Sequence, residues 1–459
     1  MSRMSVNHIA VLLAIGAIVP MQSFVSRPGL AETLGNGEAK GFAAIGISDS
    51  DAGAAHATAI GGIAVGPDAQ AFTQDATHPC AGGSDATDCG HGNIAIGVSS
   101  GATNDFAVAI GQLSKAGGVN SAAFGANANA VGAGSVAAGN AATATGIISV
   151  AIGPNSVAAN GAVALGSQAT ATGGNTIAMG QGSTATGRRS IAAGTSANSA
   201  GNESIAIGTQ ASTFDLTKKA GVDSAVAIGN GAIAQADNST AVGAHANAVG
   251  DRSSAYGHNA SAKDAGSAYG FGATGFGLNG SAFGTLASAS GENATAVGFG
   301  TKAGGAGALA IGAEAQAPQD GALAIGHKAM STGNSTIAIG ANTIATNSVA
   351  VGKAAMASNG GAAYGDGAAA TGTLATALGP NASTTAANAV AIGSGSLANE
   401  DNSVSMGAPG NARRITNVAA GSAASDAATV GQLMDLRAQI EEVRRECGLP
   451  ARTARASGE

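Results

Sequence analysis

Residues 201–208 read GNESIAIG, and close variants return along the chain: GGNTIAMG at 173–180, GRRSIAAG at 187–194 and GNSTIAIG at 333–340. The Gly that closes each copy sets a step. It falls at Gly97, Gly111, Gly125, Gly139, Gly153, Gly166, Gly180, Gly194 and Gly208, then from Gly229 through Gly340 to Gly407. Most steps are fourteen residues, some are twelve or thirteen, and the one from Gly208 to Gly229 is longer. A fixed short period is the mark of a solenoid, and looser copies at Gly46, Gly61 and Gly66 extend it towards the N-terminus.

Each unit has two halves, as in Ser149-Val150-Ala151-Ile152-Gly153 and Thr170-Ala171-Thr172-Gly173, and both alternate with period two, which predicts short strands. Val150 and Ile152 share one face; Ser149 and Ala151 share the other. The larger apolar face is expected to point into the coil. The small face is expected to meet solvent or to lie against another surface at close range. Gly ends each strand because the chain must turn there, and Gly tolerates positive φ. A pair of short strands cannot bury a face alone, but stacked copies can, so the fold class is all-β, a parallel β-solenoid. At about 4.8 Å per strand the regular coils make a rod on the order of 105 Å long.

Composition agrees. The 459 residues include 74 Gly, no Trp, 3 Tyr and only 10% charged side chains. Much of the apolar fraction is Ala, which adds little area on burial, so stacking and oligomerisation are expected. A net charge of -7 with scattered Lys and Arg argues against nucleic acid as a partner. Arg3 followed by an apolar run from Ile9 to Val19 suits a signal peptide, with cleavage expected near Ala31 after Gly29 and Leu30, giving a signal peptide over 1–31 and an exported chain. No later apolar run is long enough for a membrane-spanning helix, because Gly, Ser, Thr and Asn interrupt each one.

The repeat is interrupted twice. Between Gly208 and Gly229, Phe214, Asp215, Leu216, Lys218 and Lys219 concentrate bulk and charge that the coils lack, marking a candidate binding loop or a tolerated surface insertion. Residues 32–96 are irregular and carry Cys80 and Cys89. In an exported chain a disulfide between them is expected; a zinc site with His78 and His91 is the competing arrangement. Regular coils are expected over 97–410. From Asn411 the pattern changes. Leu433, Leu436, Ile440, Val443 and Cys447 fall at spacings of three and four, a short coiled-coil seam over 433–447, followed by a disordered tail over 448–459.

Coils such as NSVAIG and NSTAVG, at a fourteen-residue step, resemble the head of the YadA-like trimeric autotransporter adhesins. The segment RRITNVAAG…SDAATVGQL resembles that family's neck, here placed at 411–432 with Arg414, Ile415, Thr416, Asn417, Val418, Gly421, Asp426, Ala427, Gln432 and Leu433. The family's usual Val-Asn after Asp-Ala reads Ala428-Thr429 here. The resemblance implies a homotrimer of left-handed parallel β-rolls, and three rolls packing closely would want the small Ala and Ser face between them. It also brings the Cys447 side chains together, for an inter-chain disulfide or as free thiols on frayed ends. Family members continue into a long stalk and a trimeric membrane barrel. No ten-residue alternating strands follow the neck here, so the expectation is a chain held at the cell surface by a partner, secreted, or the product of a truncated gene.

The function expected is that of a non-catalytic adhesin head, displayed at the cell surface or outer membrane and binding host, matrix or bacterial surfaces. The alternative is a solenoid that binds ice or another lattice through Thr143/Thr145, Thr170/Thr172 and Thr184/Thr186, a ladder broken by VAANG at 157–161 and SANSAG at 196–201. Dispersed carboxylates such as Glu203 and Asp251 speak against an enzyme, and no cofactor or metal is expected. Glycine-rich strings such as GFGATGFG lack the strand–loop–helix setting of a phosphate loop.

Overall fold

The computed structural model describes residues 45–47, 55–57, 62–71, 92–215 and 220–448. It is a parallel β-solenoid followed by one helix, Val430–Glu446. Each coil supplies a three-residue strand, such as Val150–Ile152, and a two-residue strand, such as Val157–Ala158. The three-residue strands, with the two-residue Val404–Ser405 at the end, stack into one 25-stranded sheet. The two-residue strands form a ten-stranded and a thirteen-stranded sheet, separated at the insertion after Gly208. Pairing is parallel and in register from coil to coil: Val136, Val150 and Val163 align, as do Ala137, Ala151 and Ala164. At about 4.8 Å per strand, the long sheet spans roughly 115 Å.

The two faces lie opposite to the sequence expectation. Ala151 and Ser149 are fully buried, whereas Val150 is half-buried and Ile152 is 44% exposed. The same inversion holds in coil after coil. The core is a column of Ala, from Ala64 through Ala178 to Ala398, with Ser and Thr beside it. The reason is width. Two strands of a fourteen-residue coil face each other across a gap that one methyl from each side fills, and a branched side chain there would overpack it. Each buried methyl contributes on the order of 0.8 kcal/mol, so the core gains by number rather than by size.

Buried hydroxyls close the turns between strands. Ser149 donates to the Gly146 carbonyl at 2.7 Å, Ser156 to Gly153 at 2.8 Å and Ser183 to Gly180 at 2.9 Å. A carbonyl partner three residues back offsets the desolvation of such a hydroxyl, which suits Ser to the position before a strand, although Ser135, Ser190 and Ser253 are buried there without one. Glycine is demanded at the turn itself. Gly180 has φ +122, and a Cβ there would meet the Gly194 carbonyl of the next coil at 2.7 Å. Two residues into the same turns the chain enters the left-handed region again, often at Asn, as at Asn155 (φ 55) and Asn259 (φ 56).

Candidate functional site: an outward apolar stripe and a neck

Because the core takes the small side chains, the large ones line the outside of the long sheet. The first and third residues of each three-residue strand form two neighbouring columns along the rod. Ile207 is 40% exposed, Phe283 42% and Leu378 48%. This is the apolar stripe that the sequence reading had placed inside. The Ala and Ser residues that reading reserved for contact between rolls are the interior of each roll, so they are not available to a neighbour.

In mid-rod the stripe turns aromatic. Tyr256 and Tyr269 stack with centroids 4.8 Å apart and planes within 5°, and Tyr269 stacks on Phe283 at 5.1 Å. At the adjoining turn, His258 stacks on Phe271 at 5.3 Å, and His245 meets His258 edge-on. Parallel in-register strands hold equivalent side chains one strand spacing apart, which is close to the stacking distance of two rings.

In the threonine pairs Thr143, Thr170 and Thr184 are half-buried and Thr145, Thr172 and Thr186 exposed, and they do not make one ladder. Thr170 pairs with Thr184, while Thr143 pairs with Val157 and Thr184 with Asn198. At the long insertion, Phe214–Asp215 pairs antiparallel with Ala220–Gly221. Phe214 is half-buried and Asp215 is buried at 6% exposure, so Asp215 is no part of a surface contact. Leu216, Lys218 and Lys219 lie outside the described residues, as do Cys80, Cys89, His78 and His91. Below the insertion Ser199, Ser204 and Thr213 form a buried hydroxyl cluster, with Ser199 and Ser204 at 2.7 Å and Thr213 donating to Ser204 at 3.0 Å.

The neck follows the last coil. Residues 411–420, which include Arg414, Ile415, Thr416, Asn417 and Val418, are all exposed. Arg413, which sequence reasoning passed over for its neighbour, folds back on the rod. Its guanidinium donates to Ser396 Oγ at 2.7 Å, to the Met406 carbonyl at 3.1 Å and to the Ser394 carbonyl. It thus satisfies polar groups that a next coil would otherwise engage. No sequence pattern separates Arg413 from Arg414; only the end of the rod does.

Gln432 ties the neck to the helix. It accepts from the Gly421 N–H at 2.9 Å and donates to the Gly421 carbonyl at 2.8 Å. It also completes a capping box with Thr429, whose side chain accepts from the Gln432 N–H at 3.2 Å. The Asn-to-Thr departure therefore keeps an effective N-cap. Asp426 accepts from the backbone N–H groups of Ala423 at 2.8 Å and Ser422 at 2.9 Å; these donors hold its carboxyl below the usual carboxylate range. The helix buries none of its residues: Leu433 is 55% exposed, Leu436 52% and Ile440 51%. Cys447 caps its C-terminus as an exposed free thiol.

Chemistry for catalysis is sparse. Among the described residues no three His, Cys, Asp or Glu side chains gather in a metal-binding arrangement, and no helix is long and apolar enough to cross a membrane. The depressions on the rod are shallow, one lined by Ile147, Ile148, Asn160, Gly161 and Asn175.

Comparison with known proteins fits this anatomy. The YadA head domain repeat matches eleven segments between residues 94 and 408, the longest unmatched stretches being 212–222, 247–276 and 344–369. The coiled stalk of trimeric autotransporter adhesin matches residues 414–443. Among solved structures, the collagen-binding domain of Yersinia adhesin YadA is 19% identical over 65% of this chain and 86% of its own, with a TM-score of 0.13. No curated protein matches. With head repeats over more than half of its length and the stalk after them, the chain belongs to the YadA-like trimeric autotransporter adhesins.

Proposed function

We propose that this chain is the non-catalytic binding head of an adhesin, a homotrimer of left-handed rolls that is exported, displayed at the cell surface and multivalent for matrix or cell-surface ligands. The observation that carries the reading is apolar surface without a partner in its own chain. The outward stripe runs the length of the rod, and the helix buries nothing. Soluble monomers rarely expose contiguous apolar patches beyond a few hundred Å². Parallel copies joined at the neck would cover both surfaces at once, leaving the turns and the two-residue strands for ligand. Collagen is the first ligand to try, since the related Yersinia domain binds it.

The test compares the full chain with a Leu436→Asp, Ile440→Asp variant on surfaces coated with collagen, fibronectin or cells. Three linked heads gain avidity by a factor of about 10² or more over one. Wild-type binding that falls by such a factor in the variant supports the reading. A wild-type trimer that binds none of these surfaces contradicts it.

A further inference from the structure

The two columns of the outward stripe are not independent. Wherever the third strand residue is aromatic, the first is Ser or Ala: Ala122 with Phe124, Ser254 with Tyr256, Ser267 with Tyr269, Ser281 with Phe283, Ala362 with Tyr364. Among the described three-residue strands Ser or Ala stands at the first position nowhere else. Where the third residue is Ala, the first is Val or Ile, as it is beside a third-position Ile, so the pairing of large with small belongs to the aromatic coils. A face open to water has no reason to set each ring beside a small neighbour. A face packed against something at fixed clearance does, because added and missing methylenes both cost stability.

The compensation runs from Ala122 to Tyr364, so the covering object has the length and period of the rod itself. Another copy of this chain meets that description; a globular ligand does not. Yet copies built from near-identical coils could align one coil out of step at little cost. The block Ser254/Tyr256, Ser267/Tyr269 and Ser281/Phe283 breaks that degeneracy. Among the described coils it is the one consecutive run with a small first residue and an aromatic third, and much of it lies in the stretch 247–276 that the family repeat leaves unmatched.

Resting on the trimer reading above, we propose that this block is a self-recognition segment. Each Tyr or Phe of one copy sits over the small residue of the next, so that copies pair in register and reject a partner with an ordinary stripe. Against a Val-and-Ile coil, the rings would clash on one column and leave a void on the other.

The experiment co-expresses the full chain with a differently tagged variant carrying Ser254→Val, Tyr256→Ile, Ser267→Val, Tyr269→Ile, Ser281→Val and Phe283→Ile, the pairing that Val226 and Ile228 already use. Native mass spectrometry then counts mixed and unmixed trimers. The proposal predicts that mixed trimers are depleted about tenfold relative to random assembly. Random mixing overturns it and leaves the trimer reading intact. Wild-type monomers overturn the trimer reading and this proposal with it. If the sixfold variant does not fold, the Ser267→Val, Tyr269→Ile pair alone serves. It is predicted to sort against wild type, and random mixing with it would overturn the proposal equally.

Discussion

The rod and the helix at its end bury apolar surface in different ways. In the rod every coil finds its partner in the same chain, one step above and one below, and Ala methyls fill the space between strands. In the helix, Leu433, Leu436, Ile440 and Val443 line a seam that meets nothing in the chain. The rod therefore finds its packing within the chain, whereas the seventeen-residue helix gains none there, and packing is where most helical stability in proteins comes from. The outward stripe joins the two cases: the rod places it, and in the proposed trimer other copies cover it.

That contrast breaks most severely at a turn glycine. Gly180→Ala puts a Cβ against the next coil's carbonyl at a φ of +122, and should cost about 3 kcal/mol. Chemical denaturation of the rod should show the loss whether or not the chain is assembled. On the other side of the contrast, Leu436→Asp with Ile440→Asp should dissociate the assembly while far-UV circular dichroism of the strands stays unchanged. A loss of strand signal would mean the rod too depends on the helix.

Where rod and helix meet, Gln432→Ala removes the capping box and both bonds to Gly421, and should cost about 1–2 kcal/mol of neck and helix stability. Hydrogen exchange should rise at Gly421 and the first helical turn but not in the coils. The smallest effect is a pH dependence at Asp426. Its folded pKa is depressed, so its contribution is fully present above the unfolded value near 3.8 and is lost as pH falls through the lower folded value. Helix content in the wild type should decline over that acid range, and Asp426→Asn should flatten the dependence. An equal pH dependence in the two proteins would remove Asp426 from the account.

The period, the strands and the order of rod, neck and helix were legible in the sequence, because a step fixed by glycine leaves few other folds. The inside and outside of the coil were assigned the wrong way round. Alternation in Ser149-Val150-Ala151-Ile152 defines two faces without saying which is inward, and the habit of placing the larger side chains in the core decided wrongly for so narrow a coil. The chain did carry the answer. The middle strand residue is Ala in almost every coil, while the first and third vary among Val, Ile, Leu, Met, Ala, Ser, Thr, Tyr and Phe; a position that tolerates one small residue is the constrained interior. The neck was legible as a motif, but the role of Arg413 was not, because it depends on which carbonyls the last coil leaves open.

The central claim is that the outward stripe is an internal surface of an assembly. Sedimentation equilibrium of the full chain, purified from its exported form with and without reductant, tests it most directly. A trimer that persists in reductant is the predicted result, with packing along the stripe, rather than Cys447, holding the copies together. A stable monomer with the stripe open to water would contradict the account.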